Sequence, residues 1–331
     1  MCRRLVWLVS VFGVCAVAGA TEPERANDAC DRDRACRQTW NRELNGHFFI
    51  PSLTVADAFV ATVFSVQSGA GIDWVDGPSF DKQGNPAGSD SYKAAALFEA
   101  ASFQANIFRW WAVRVGGIGG LDGGFNARSA LVLGASIPLD VVVGTTVSWQ
   151  LGKYLRLAGV FDFDYQHARV IDPLAAVRTS LAAGQVDLSQ IRQKVNTYTL
   201  VPGATLAFAP HPALGFVGTI QYLWLRRDDP ATTIPTPSRT EVNNMVFGVV
   251  AQLDLKPLLV KVPIGIVVAY RARVPIDSDE KVAHDLEGGI YYTGRDPLVL
   301  GIVEQGRWFE LRPGFQATGL TSSLVMRYYW N

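Results

Sequence analysis

The sequence predicts an all-β fold: a closed antiparallel transmembrane β-barrel of about 12 strands (10–14), with short helices in its loops. Three observations point there. Long segments alternate apolar and polar residues, the connections between them alternate long and short, and the chain opens with an export signal.

A β-strand sends successive side chains to opposite faces. In "LRLAGVFDFDYQ" (155–166) one set reads Leu155, Leu157, Gly159, Phe161, Phe163, Tyr165. The other reads Arg156, Ala158, Val160, Asp162, Asp164, Gln166. The pattern recurs in "VVVGTTVSWQL", "YTLVPGATLAF", "MVFGVVAQL", "IGIVVAYRAR" and "LTSSLVMRYYWN". Such strands run roughly 10 to 14 residues, near the length a tilted strand needs to cross a bilayer. Soluble sandwiches use shorter strands. Lipid offers no partner to a backbone group, so membrane strands must close on themselves. Phe161 and Phe163 are then expected to face lipid, and Asp162 and Asp164 a wet lumen.

The strands are expected at 56–68, 92–106, 109–118, 139–151, 153–167, 196–209, 213–227, 242–255, 263–275, 286–293, 298–304 and 318–330. Long connections fall at 69–91, 119–138, 168–195, 228–241, 276–285 and 305–317. Short ones include Gly152 alone and "HPA" (210–212). Short turns on one side and long loops on the other are the pattern of an outer-membrane barrel, and an even count puts both termini on the periplasmic side. Trp110, Trp149, Phe208 and Trp330 fall near the periplasmic ends; Tyr165, Tyr198, Trp224 and Tyr270 fall near the outer ends. Aromatic rings of this kind form interfacial girdles.

Two stretches break the alternation. "DPLAAVRTSLAAGQVDLSQIRQKV" (172–195) reads as helix, with Asp172 as cap and Pro173 in the first turn. "ARSALVLGAS" (127–136) fits a short helix or another strand. "GGIGGLDGG" (116–124) reads as a flexible loop; it lacks the Lys-Ser/Thr ending of a phosphate loop.

The N-terminus has Arg3 and Arg4, an apolar run from Leu5 to Ala18, then Ala18-Gly19-Ala20. That is a signal peptide cleaved after Ala20. Residues 21–55 then form a periplasmic N-terminal segment or lumen plug, and 56–331 the barrel. Of the four cysteines, Cys30 and Cys36 survive cleavage and are expected to close a small disulfide loop in the oxidising exported environment. Lys+Arg and Asp+Glu are equal at 30 each, which argues against nucleic-acid binding. Charged residues make up 18% and hydrophobic residues 49%, so the chain is not of disordered composition.

With its signal peptide, paired connections and terminal strand "SSLVMRYYWN", the chain resembles the bacterial outer-membrane β-barrel class. Members of that class typically end on an aromatic residue; here Trp330 is penultimate. The resemblance implies insertion by the barrel-assembly machinery and contact with outer-membrane lipid and lipopolysaccharide. It covers roughly residues 56 to 331. More faintly, the segment before the barrel, with "NGHFFIPSL", is similar to the outer-membrane transporters of fatty acids and aromatic hydrocarbons.

No metal or cofactor is expected. His47, His167, His211 and His284 form no metal-ligand spacing, and "DSDEK" (277–281) is no EF-hand loop. His167 with Asp162 or Asp164 is the one acid–base pairing that comes into view, since surface proteases of the class use His with carboxylates. No Gly-x-Ser-x-Gly elbow accompanies it. The chain is therefore read as no enzyme. Glu99, Arg156, Asp162, Asp164, Arg271, Arg273 and Arg327 are expected to line the lumen, where charges select solutes. The expected function is a channel or passive transporter for small solutes, hydrophobic ones included. The alternative is a structural or adhesive barrel with a blocked lumen and binding loops. An outer-membrane hydrolase ranks last.

Overall fold

Alternation over this many segments leaves one way to satisfy the backbone, a sheet closed on itself. The computed structural model describes residues 42–330 apart from 81–85, 127–128, 131–132, 172, 174–191, 229–240, 260–261, 278–280, 296 and 313–314. A two-residue hairpin comes first, β1 (Glu43–Leu44) and β2 (His47–Phe48). Its turn is Asn45-Gly46, both at positive φ (52° and 79°), the pair such turns favour. Then come β3 (Val63–Phe80), β4 (Pro86–Phe108), β5 (Trp111–Gly124), β6 (Ala135–Gln150), β7 (Leu155–Ile171) and β8 (Arg192–His211). They are followed by β9 (Leu214–Asp228), β10 (Glu241–Asp254), β11 (Ile264–Pro275), β12 (Ala283–Arg295), β13 (Leu298–Arg312) and β14 (Phe315–Tyr329).

β3 to β14 form a closed antiparallel barrel in sequence order. β14 meets β3 from Tyr329↔Val63 to Gln316↔Asp76, so the sheet has no free edge. The last β14 residues and the first of β3 lie at the same end, where Trp330 N donates to Thr62 O. We call this the terminal end and the other the loop end. Connections at the terminal end are short, such as 109–110 and 212–213, though 255–263 is longer; the longest at the loop end is 172–191.

Burial alternates strictly along β14, with Thr321, Ser323, Val325 and Arg327 buried and Leu320, Leu324 and Met326 exposed. The same alternation puts Ile290, Ile302 and Leu324 outside at 62%, 58% and 64% exposed. Phe161, Phe163, Val249 and Val268 lie on that surface too. An apolar belt of this extent around a closed wall is a lipid-contact surface. Among the described residues no helix is long and apolar enough to cross a membrane, which says nothing of a β-barrel.

Several sequence expectations are corrected here. The first barrel strand starts at Val63 and not at residue 56, because 56–62 lie inside the barrel; the wall therefore begins later than the expected boundary at 55/56. Residues 116–124 are the second half of β5 and not a loop: glycine keeps the backbone in the ladder without adding side chains. The helix expected over 172–195 cannot extend past residue 191, since Arg192–Val195 pair with β7; most of the remainder lies outside the described residues. Within 127–136, Ser129, Ala130 and Leu133 are helical and Ala135 begins β6. The connection expected at 305–317 contracts to 313–314, because β13 and β14 extend into it. The expected signal peptide and the expected Cys30–Cys36 disulfide fall outside the described residues.

Candidate functional site: the plugged lumen

The inner face of a twelve-stranded wall is too wide for its own side chains to fill. Here the chain fills part of it with residues 42–62. Leu44, Phe49, Ile50, Val55, Ala58, Phe59 and Ala61 are buried in one cluster with inward residues of the wall, among them Ala158, Val217, Val250, Val267, Val303 and Tyr329.

The wall shapes seats for this plug. A Cβ at Gly215 (β9) would lie 2.4 Å from the His47 ring. At Gly248 (β10) it would lie 2.9 Å from Val55, and at Gly265 (β11) 2.4 Å from Ile50. Three adjacent strands thus leave out a side chain where the plug inserts one.

Polar side chains grip the plug's backbone. Gln252 Oε1 accepts from Ile50 N at 2.8 Å, and its Nε2 donates to Ile50 O at 2.7 Å. Arg327 donates to Pro51 O. Glu287 Oε2 accepts from Leu53 N (2.9 Å), Thr54 N (3.0 Å) and the hydroxyls of Ser52 (2.7 Å) and Thr54 (3.0 Å). Glu287 is fully buried, and these donors replace the water lost by Oε2. Ser148 Oγ donates to Ala58 O at 2.7 Å, and Gln104 Nε2 to Ala61 O at 3.0 Å. Cations hold the aromatics: Arg156 lies 4.9 Å from the Phe59 ring centre, and Arg42 4.1 Å from that of Tyr329.

Two plug groups have displaced proton affinities. Burial pushes the His47 imidazole below its ordinary value, against the Pro212 carbonyl 3.0 Å from Nδ1, which favours the charged ring. Burial also pushes the Asp57 carboxyl up to about 6, although Arg327 and Arg156 pull the other way.

Between the plug and the loop end the wall carries ion pairs. Arg114 (β5) reaches Asp162 (β7) at 2.6 Å across the intervening β6. It can do so because Gly144 lies between them in register; a Cβ there would sit 1.9 Å from Asp162 Oδ1. Arg271 pairs with Asp285 at 2.9 Å, and Arg273 approaches the same oxygen at 3.9 Å. These pairs run along the wall, partly exposed, rather than across the lumen. At the loop end Val75, Tyr92, Phe315 and Ala317 form an apolar cluster against which Leu133 and Phe309 pack.

The seven residues expected to line the lumen divide three ways. Arg156 and Arg327 face inward and hold the plug. Asp162, Asp164, Arg271 and Arg273 face inward beyond it. Glu99 is exposed, in register with the exposed Ser68 of β3, and so faces outward with Leu97 and Phe103. It is corrected to the outer face. His167 is likewise corrected away from Asp162 and Asp164. It lies one residue out of phase with them, and its Nδ1 meets Asn196 Oδ1 at 2.8 Å. The aromatic residues Trp110, Trp149, Phe208, Tyr270 and Trp330 are exposed. Tyr165 and Tyr198 lie outside with ring centres 5.2 Å apart, and Trp224 shares the outward set of β9 with Phe216 and Tyr222. Among the described residues no cluster of three His, Cys, Asp or Glu could hold a metal ion.

Gln104, Ser148, Gln252 and Glu287 were not singled out by sequence. Their signal was weak: each is one polar residue on an inward face where polarity is expected anyway.

No family model matches the chain, and no curated protein matches it. Among solved structures it is similar to the translocator domain of the autotransporter NalP from Neisseria meningitidis, at 9% identity, 81% of this chain, 88% of that chain and TM-score 0.49. A Pseudomonas aeruginosa FadL homologue matches at 10% identity, 89% of this chain, 98% of that chain and TM-score 0.46. The transport unit of the autotransporter AIDA-I from Escherichia coli matches at 10% identity, 91%, 99% and TM-score 0.48. These identities are too low to carry a function from those proteins to this chain.

Proposed function

We propose that this chain is a bacterial outer-membrane barrel providing a gated passive path for small solutes, hydrophobic ones included. The signal peptide would export it, the barrel-assembly machinery would insert it, and the apolar belt would meet lipid and lipopolysaccharide. It needs no cofactor and performs no chemistry. One observation carries the reading. Among the described residues one segment, 42–62, fills part of the lumen and is held there by non-covalent contacts, beside a wall bearing partly exposed ion pairs. Displacing that segment would open an aqueous path, with Asp162, Asp164, Arg271 and Arg273 along it.

The test is planar-bilayer conductance of the refolded mature chain beside a Phe49→Ala/Phe59→Ala variant. Wild type should conduct rarely, and the variant in steady steps. A folded variant whose plug has become protease-accessible, yet stays silent, would sink the reading.

The buried plug cluster also favours a second reading, a permanently blocked barrel whose loops bind a surface partner. In that case the plug would stay protected in both proteins, and trimming the loops would abolish binding without changing permeability.

A further inference from the structure

The grip on the plug is directed mainly at its backbone. Gln252 presents its side-chain amide to Ile50 as a neighbouring strand would, donating to the carbonyl and accepting from the N–H. Arg327, Ser148 and Gln104 address carbonyls, those of Pro51, Ala58, Phe59 and Ala61. Glu287 gathers the N–H groups of Leu53 and Thr54. These five side chains come from β14, β6, β4, β10 and β12, so the grip surrounds the segment. A carbonyl or N–H is the same at every non-proline residue, so such contacts read chain conformation rather than sequence. Side-chain preference comes instead from the seats opposite Gly248 and Gly265, filled by Val55 and Ile50, and from the Ser52 and Thr54 hydroxyls that donate to Glu287.

We infer that the lumen is a binding site for a polypeptide segment that presents its backbone to these five side chains and apolar side chains to these seats, and that residues 50–61 are its resident occupant in cis. A polypeptide from outside the chain would take the same contacts when the resident segment leaves. The inference does not depend on which solute the open pore passes. Because the resident segment is tethered, its effective concentration is high, and a competing peptide binds measurably only once the tether's advantage is reduced. Phe49 and Phe59 offer that lever. They belong to the plug and pack against each other, tilted by 34° with ring centres 4.7 Å apart, so truncating them weakens the occupant and leaves the five wall groups in place.

The experiment uses the full mature chain carrying Phe49→Ala and Phe59→Ala, refolded in lipid. Two fluorescein-labelled peptides are titrated, with binding read by anisotropy and occlusion by block of conductance. One has the sequence of residues 48–62. The other keeps Phe49, Ile50, Ser52, Thr54, Val55 and Phe59 and replaces the remaining residues. Both should bind within ten-fold of each other and block open pores, and adding Gln252→Ala should weaken each at least ten-fold. No binding to a conducting variant would overturn the inference, and so would binding of the native-sequence peptide alone. A silent variant that still binds both peptides would count against the channel reading and leave this one standing. If the double variant fails to fold, Phe59→Ala alone at higher peptide concentration gives the same readout.

Discussion

Gly144 shows how much one missing side chain can decide. Its place in register between Arg114 and Asp162 lets the guanidinium cross a strand to its partner. A methyl group would have to share space with the Asp162 carboxylate. Gly144→Ala should therefore break the pair and lower stability by about 1–3 kcal/mol, measured by denaturant unfolding in lipid vesicles. An unchanged midpoint would show that Asp162 can turn aside at no cost. Asp57 makes a prediction with a sign. Its carboxyl titrates at about 6 in the plugged protein, against 3.8 for the free group, so the plugged form binds more protons between those values. Its contribution to plug stability therefore grows as pH falls from 7 towards 4. Asp57→Asn removes that dependence. The variant should hold its plug more tightly than wild type at pH 7.5, and the gap should close by pH 4.5, read by protease protection of the plug. A gap that widens on acidification would reverse the assignment. His47 titrates in the opposite sense but is present in both proteins, so it cancels in the comparison.

Single strands differ in how plainly their sequence declares a face. β7 is unambiguous: Phe161 and Phe163 fall in one set, Asp162 and Asp164 in the other, and the wall orients them accordingly. β4 is not. In "AAALFEAASF" Phe98 lies in one set and Phe103 in the other, with alanine filling both, so period-two reading has nothing to grip. Glu99 was placed inside because charge belongs inside, and the register with β3 puts it outside. Residues 55–63, "VADAFVATV", fail differently. Residues 56–62 join no ladder; the carbonyls of Ala58, Phe59 and Ala61 accept from the wall side chains Ser148 and Gln104, and their apolar residues run straight into β3 as if they were more strand. An apolar stretch running into a strand gives no sign of where the wall begins, so the barrel was legible, and residues 21–55 could be offered as a periplasmic segment or plug, while the boundary at Val63 was not. The outward carboxylate has a measurable consequence. Glu99 lies four residues from Phe103, whose ring stacks on Trp330 at 5.6 Å, and thus within the apolar belt. An acidic group on the lipid face is unfavourable, though less so than a basic one. Glu99→Leu should raise stability in lipid by on the order of 1 kcal/mol, measured by reversible unfolding in vesicles. A loss of stability would mean that Glu99 makes a favourable contact on that face.

Across the whole molecule, closure and selectivity belong to different layers of the lumen. Arg156 and Arg327 are buried at the plug, so truncating either should act first on closure. Beyond the plug Arg271 and Arg273 share one carboxylate, Asp285, which is itself nearly inaccessible. Two cations on one anion leave a local excess of positive charge on that stretch of wall, while on β7 Asp162 is balanced by Arg114 and Asp164 carries the negative charge. An open pore with both would discriminate weakly between ions of opposite sign. Removing the basic side should unbalance it. In the plug-weakened background, Arg271→Ala together with Arg273→Ala removes two cations beside Asp285 and shifts the balance of the wall towards its acids. The reversal potential in a salt gradient should then move towards cation selectivity, and the shift should shrink as ionic strength rises and the Debye length falls from about 10 Å at 0.1 M to 3 Å at 1 M. If conductance and reversal potential both stayed at the background values, the permeation path would not pass this wall, and the space between plug and loop end would be a closed chamber.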